Sequence, residues 1–173
     1  RSIFAHCVHL SEAEWQRMAA TGCSAAFCPT SNLFLGSGLF PLTSAERHGV
    51  EVGLGTDVGA GPTLSLLETI DEAYKVQQLQ GTTLSPLKSF YLATLGGVRA
   101  LDLEEHLGNF LPGKEADFLV LDLAPTPLLE ARLGRCTSLF EKLFVLSTLG
   151  DDRCVRETWI MGERRHARDG ASL

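Results

Sequence analysis

The sequence lacks any long apolar run: none of its 173 residues belongs to an uninterrupted apolar stretch of about 18, so no membrane-spanning helix is predicted. It also lacks an excess of positive charge, since 15 lysines and arginines face 21 aspartates and glutamates, for a formal net charge of −6. A surface of this sign repels phosphate groups, so neither nucleic acid nor an anionic membrane is expected as a partner. No signal peptide is recognisable, and a cytoplasmic location is expected.

Several common binding motifs are missing as well. No CxxC pair occurs, and His6 and His9 do not form an HxH metal pair, because their spacing of three places the side chains on opposite faces of a strand. The segment Gly59–Gly61 precedes a helix but matches neither GxGxxG nor a Walker loop, which argues against phosphate binding. The odd number of cysteines fits buried, reduced thiols in a cytosolic protein. They are Cys7, Cys23, Cys28, Cys136 and Cys154.

The first half of the chain alternates short apolar strands with helices. Strands are predicted at Ser2–Ala5, Ser24–Cys28 and Val50–Leu54. Helices are predicted from the Ser11 and Glu14 capping box to Gly22, from Pro41 to His48, over Leu64–Gln80, and from Ser85 to Leu95. The turn-rich segment Pro29–Gly38 is predicted as a loop, and Gly96 and Gly97 are predicted to break a helix before Val98–Leu101. Successive βα units of this kind form a parallel sheet through right-handed crossovers.

A smaller β-rich module is predicted after residue 106, where the composition changes. It contains a strand at Asp117–Leu121, a helix at Thr137–Leu146 and a hairpin of Val155–Met161 with Arg164–Ala167. We therefore divide the chain into residues 1–106 and residues 107–173.

Two polar residues stand directly beyond predicted strand ends. His6 follows the first strand and Asp57 follows the third. Parallel strands end at one edge of a sheet, so these side chains are expected to converge on one pocket, where they suit metal ligation or general-base chemistry. Alternatively, Asp57 is a helix cap or turn residue and His6 is a hydrogen-bonded loop histidine. The segment Thr30–Asn32 is expected at the same edge. Its polar side chains could contact a ligand or form local turns, and the turn interpretation is favoured.

Five stretches together resemble the metal-dependent amidohydrolase superfamily in its aminohydrolase branch. They are AHCVHLS, CPTSNLFLGSGLF, VGLGTDVGAG, ATLGGVRALDL and GNFLPGKEADFLVLD. PGKEAD is shared across the superfamily, whereas NLFLGSGLF and LGDDR are narrower and favour guanine as the substrate. The resemblance implies a (β/α)8 TIM-like barrel with one zinc ion and an attached small β-sandwich. It identifies the three strands as the sixth, seventh and eighth of that barrel, with Arg1–Phe4 in the sixth.

The resemblance also implies roles for the two strand-end residues. His6 matches the sixth-strand histidine, which holds the attacking hydroxide and the substrate. Asp57 matches the eighth-strand aspartate, which binds the metal and takes the proton from its water. The first-strand HxH pair, the fifth-strand histidine and the HxxE glutamate of the family are absent from these 173 residues.

The expected function is therefore that of the carboxy-terminal portion of a zinc-dependent hydrolase in purine catabolism. The complete enzyme would be a homodimer that converts guanine to xanthine and ammonia, and this portion alone would be inactive. The alternatives are an aminohydrolase of adenosine-like or methylthioadenosine-like substrates, or an inactive fragment or scaffold. Half of a doubly wound nucleotide-binding fold is disfavoured, because no glycine fingerprint follows the first strand.

Overall fold

The chain folds around two separate three-stranded sheets. A computed structural model describes residues 2–168, so Arg1, assigned above to the sixth barrel strand, and residues 169–173 lie outside the described residues. The first sheet is parallel with the order β1-β2-β3, and the second is antiparallel with the order β4-β5-β6. The predicted α/β class is confirmed.

The parallel sheet and its helices form the first part of the chain. Its strands are β1 (Ile3–Ala5), β2 (Ser24–Phe27) and β3 (Val52–Leu54). The helices are α1 (Glu12–Ala20), α2 (Pro29–Leu35), α3 (Leu42–His48), α4 (Leu66–Leu79), α5 (Pro86–Ala93) and α6 (Leu95–Ala100). Ala5 pairs with Ala26 and Phe27 pairs with Leu54, so all three strands end at the same edge.

The segment predicted as a loop after β2 is a helix, α2, and that prediction is wrong. Pro29 occupies the first turn, where its missing N–H costs no hydrogen bond and its fixed φ suits a helix. Gly36 adopts φ 67° and donates its N–H to the carbonyl of Leu33, which ends the helix after two turns. The turn-forming residues inside the segment therefore do not interrupt it.

The glycine pair predicted to break a helix instead lies within α6. The break comes earlier, at Thr94, whose φ and ψ are −129° and −99°. A Cβ added at Gly53 of β3 would lie 2.7 Å from the Cα of Gly97, so α6 packs directly on the sheet backbone. Gly53 and Gly96 are required by this close approach, since a Cβ at Gly96 would lie 2.9 Å from the carbonyl of Val52, whereas one at Gly97 would meet no atom closer than 3.9 Å.

The main core lies between the parallel sheet and the helices that cover it. Trp15, Phe27 and Phe40 are buried; the rings of Phe27 and Phe40 stack with centroids 4.6 Å apart, and Trp15 meets Phe40 edge-on at 6.2 Å. Each such side chain contributes about 1.5–3 kcal/mol through burial. The capping box of Ser11 and Glu14 is formed as predicted and directs α1 onto this core.

The second part contains two helices and the antiparallel sheet. Its elements are β4 (Phe118–Leu121), α7 (Pro127–Leu133), α8 (Leu139–Leu149), a short 3-10 turn at Asp152–Cys154, β5 (Val155–Ile160) and β6 (Glu163–Ala167). Helix α7 was not predicted, although Thr126 caps it and Pro127 opens it. A second core cluster packs α4, from the first part of the chain, against α7 and α8 of the second part. The division of the chain at residue 106 therefore stays a prediction.

All five cysteines are free thiols; Cys7, Cys28 and Cys154 are buried as expected, whereas Cys23 and Cys136 are only partly buried. Within the described residues, none of the helices is both long and apolar enough to cross a membrane.

Candidate active site

His6 and Asp57 converge at the carboxyl edge of the parallel sheet. The Nε2 atom of His6 lies 3.8 Å from Oδ2 of Asp57, with 42% and 35% of the two side chains exposed. Both residues adopt left-handed backbone conformations, with φ of 70° and 50°. For residues other than glycine such conformations cost about 1–3 kcal/mol and cluster at functional sites. The structure therefore brings the two predicted residues together at one open site.

The imidazole of His6 is oriented by a contact from the next βα unit. Its backbone N–H donates to the carbonyl of Ala26 at 3.0 Å, which fixes the start of the loop after β1. Its Nδ1 lies 2.8 Å from Oδ1 of Asn32. An amide oxygen only accepts hydrogen bonds, so Nδ1 of His6 is the donor in this contact, and in a neutral ring Nε2, the atom towards Asp57, carries the lone pair.

The turn that carries Asp57 is closed by backbone contacts and one threonine. The N–H of Gly61 donates to the carbonyl of Asp57 at 2.6 Å, and Thr30 Oγ1 donates to the carbonyl of Thr56 at 3.1 Å. A Cβ at Gly61 would lie 2.2 Å from that Thr56 oxygen. Glycine is thus required here by a close approach, which explains a glycine-rich stretch that matches no phosphate-binding motif.

The first turn of α2 lies between the two strand-end residues and is fully buried. Thr30, Ser31 and Asn32 have relative exposures of 5%, 0% and 1%. Ser31 donates to the carbonyl of Cys28 at 3.2 Å, which is the local turn contact that the sequence favoured. The other two side chains reach outward to the His6 and Asp57 loops, contacts that the sequence analysis missed. The sequence signal for these contacts was that Thr30 and Asn32 follow a strand that ends at the same sheet edge as His6 and Asp57.

The two thiols beside the site are protonated at neutral pH. Burial, together with the negative charge of Asp57, raises the pKa of Cys28 to about 11. Burial also raises the pKa of Cys7 above its usual value. Because the thiolate is the reactive form, neither cysteine is a candidate nucleophile in this state.

The remaining histidines take no part in the candidate site. His9 donates through Nε2 to a backbone carbonyl in the loop after α2, at 2.8 Å. The side chain of His48, at the end of α3, is only 9% exposed, and its Nε2 contacts Glu12 at 2.7 Å. His106 and His166 are exposed.

The donor set matches part of a zinc site. A carboxylate and an imidazole are both groups that zinc accepts, and Asp57 and His6 present them at one edge. Within residues 2–168, however, no group of three or more histidine, cysteine, aspartate or glutamate side chains is placed to hold a metal ion. A catalytic zinc takes about three protein ligands, so this chain would supply only part of the set.

The outer edge of β1 borders an open cavity. The cavity has a volume of about 630 Å³, and His6 lines it together with residues of β1 and α1. Within the described residues β1 pairs only with β2, and Ile3 and Phe4 are 43% and 50% exposed. The site is therefore open on the side where a further strand would add to the sheet.

Comparisons with known proteins show which family this chain resembles. The Amidohydrolase family matches residues 1–165. Guanine deaminase of Escherichia coli (strain K12) is 56% identical over 167 residues, covering 96% of this chain and 38% of the relative. The probable guanine deaminase of Deinococcus radiodurans is 44% identical over 172 residues, covering 98% and 39%. This chain therefore spans about two fifths of the length of these relatives.

Solved structures show the same similarity. The E. coli guanine deaminase structure superposes with a TM-score of 0.94 at 56% identity, covering 96% of this chain and 39% of that one. A guanine deaminase from C. acetobutylicum with guanine bound in its active site gives 0.80 at 30% identity, covering 94% and 38%. A zinc-bound adenosine deaminase from Xanthomonas campestris gives 0.81 at 28%, covering 95% and 37%. The resemblance seen in the sequence is confirmed, and the chain belongs to the amidohydrolase family.

Proposed function

We propose that this chain is the carboxy-terminal portion of a zinc-dependent guanine deaminase that hydrolyses guanine to xanthine and ammonia. The observation that carries the proposal is the 3.8 Å approach of His6 and Asp57 at one edge of a parallel sheet. The 56% identity to E. coli guanine deaminase supports guanine as the substrate. Because the chain spans only 38% of that relative, the activity belongs to the complete enzyme.

The parallel sheet would form one arc of a (β/α)8 barrel, with β1, β2 and β3 as its sixth, seventh and eighth strands. Their consecutive order, their parallel pairing and the helices between them support this assignment. The outer edge of β1 would receive the fifth strand. The antiparallel sheet of β4, β5 and β6 would form part of the small β-sandwich.

Asp57 would be one ligand of the zinc ion, and the other ligands would come from outside the described residues. Zinc, when bound, supplies the acidity that makes a coordinated water nucleophilic at neutral pH. The bound zinc of the X. campestris structure supports the choice of metal. The anionic oxygens of Asp57 are also suited to accept a proton during the reaction.

The two side chains would divide the chemistry between them. Asp57 would accept the proton of the attacking water at a carboxylate oxygen. His6 would use the lone pair of Nε2 to align that water and to contact the purine. The 3.8 Å separation is longer than a hydrogen bond, so both groups can reach the same third atom. Protonation of the departing amino group would fall to a residue outside this chain.

An adenosine-like substrate is the second candidate, because the X. campestris adenosine deaminase shares the fold and 28% identity. The identity to guanine deaminase is twice as high, which favours guanine. We also propose that the complete enzyme is a cytoplasmic homodimer that acts in purine catabolism. The free cysteines support the cytoplasmic location, and the family resemblance supports the dimer.

A chimera tests the proposed function directly. This chain replaces the matching 167 residues of E. coli guanine deaminase, and zinc content and turnover are measured with guanine, adenosine and methylthioadenosine. We expect stoichiometric zinc and a preference for guanine. Faster turnover of either adenosine compound, or a folded, zinc-loaded chimera inactive on all three, would overturn the proposal.

A further inference from the structure

Asn32 directs its side chain away from its own turn. Asparagine in the first turn of a helix usually bonds to nearby backbone, and the neighbouring Ser31 does so. The Asn32 amide oxygen instead lies 2.8 Å from Nδ1 of His6, 26 residues earlier and on another βα unit. Asn32 itself is 1% exposed, so water does not compete for this contact.

We propose that Asn32 is a positioning residue that holds His6 in the tautomer with hydrogen on Nδ1 and the lone pair on Nε2. The proposal rests on the proposed function for the participation of His6, and it adds what sets the state of that ring. The backbone of His6 is fixed by its bond to Ala26, so the side-chain torsions and the tautomer are what remain to be set. Asn32 sets both through one hydrogen bond.

The cost of burying the amide argues that Asn32 is not present for stability. Its Nδ2 is buried and has no hydrogen-bond partner among residues 2–168. A buried donor without a partner destabilises a fold, and an apolar side chain of similar shape avoids that penalty. The side chain of His6, in contrast, is 42% exposed, so its ring can turn Nδ1 towards water if the contact is removed. A leucine at position 32 should therefore leave stability unchanged or raised.

Three variants of the chimera separate positioning from structure. Asn32→Leu removes the acceptor, and Asn32→Asp keeps an oxygen that can only accept. Ser31→Ala is the matched control, because it removes a hydrogen bond from the same buried turn without touching the site. Each variant is examined by 15N NMR of the histidine rings, with His6 assigned from a His6→Gln spectrum. Melting temperature, zinc content and kcat/KM for guanine are measured in parallel.

We expect the parent, Asn32→Asp and Ser31→Ala to show hydrogen on Nδ1 wherever the 15N shifts indicate a neutral ring. Asn32→Leu should show mixed tautomers, a melting temperature at or above the parent's, full zinc, and kcat/KM lower by about 10²-fold, as expected for loss of one acid–base or aligning group. Asn32→Asp should recover most of that loss, since its carboxylate accepts from the same hydrogen.

The opposite outcomes would overturn the inference. They are a parent spectrum with hydrogen on Nε2, an Asn32→Leu variant with parental tautomer and parental kcat/KM, or an Asn32→Leu variant that no longer melts cooperatively. A parent chimera that is inactive on guanine would refute the proposed function instead, while the NMR spectra would still decide the role of Asn32.

Discussion

Replacing Asp57 by asparagine distinguishes a catalytic role of its carboxylate from a role in the turn alone. The backbone of Asp57 has φ 50°, a conformation that asparagine adopts as readily as aspartate. The hydrogen bond that closes the turn uses the Asp57 carbonyl and the N–H of Gly61, so the substitution leaves it in place. The fold and the melting temperature should therefore be retained.

The chemistry should not be retained. A neutral amide is a poorer zinc ligand than a carboxylate, because hard anionic oxygen balances the charge of the metal. It also cannot accept the proton of the attacking water, and general-base assistance is typically worth about 10²–10⁴-fold in rate. We expect Asp57→Asn in the chimera to lower kcat by about 10³-fold or more.

The assay measures kcat for guanine, bound zinc and melting temperature on the same preparation. Asp102→Asn is the matched control, because Asp102 also has a left-handed backbone, with φ 65°, and lies outside the candidate site. It should keep parental kcat. If Asp57 were only a turn residue, asparagine would serve equally well. Near-parental kcat with full zinc in Asp57→Asn would therefore show that Asp57 is not the catalytic carboxylate.

Three further predictions concern neighbouring features. Thr30→Val removes the hydrogen bond to Thr56 and should cost about 1 kcal/mol of stability, with a larger fall in kcat than in Ser31→Ala; equal kcat in both variants would exclude a role for Thr30 in presenting the Asp57 turn. Hydrogen bonds from Arg153 lower the pKa of Asp151, so their stabilisation is present above pH 3.8 and is lost as the carboxylate protonates below it. Acid titration of the chimera should therefore show a smaller loss of stability in Asp151→Asn than in the parent. The 173-residue chain alone should bind zinc weakly, form no xanthine and self-associate through its open sheet edge; a monodisperse monomer by light scattering, or turnover comparable to the intact enzyme, would contradict this.

The elements that the sequence predicted well are those with local signals. The capping box of Ser11 and Glu14, the end of α3 at His48 and the apolar strands around Ala25 and Val52 all depend on signals within a few residues. Strand polarity then placed His6 and Asp57 on one edge without further information. That much of the site follows from sequence because parallel strands align their ends.

The errors arose where a distant contact decides the local structure. Gly96 and Gly97 would destabilise an isolated helix, yet α6 keeps Gly96 because the carbonyl of Val52 approaches too closely for a side chain there. The approach joins residues more than forty positions apart. A pattern of neighbouring residues in the sequence does not predict a contact between such distant positions.

The same limit explains why the buried turn of α2 was assigned to a loop. Threonine and asparagine favour turns because their side chains bond to nearby backbone. In this fold Thr30 and Asn32 bond instead to the loops after β3 and β1, which leaves their own backbone free to form a helix. The same two contacts hold the site geometry. It follows that exchanging Asn32 should change the state of His6 more than it changes α2, whereas a residue that merely formed a turn would do the reverse.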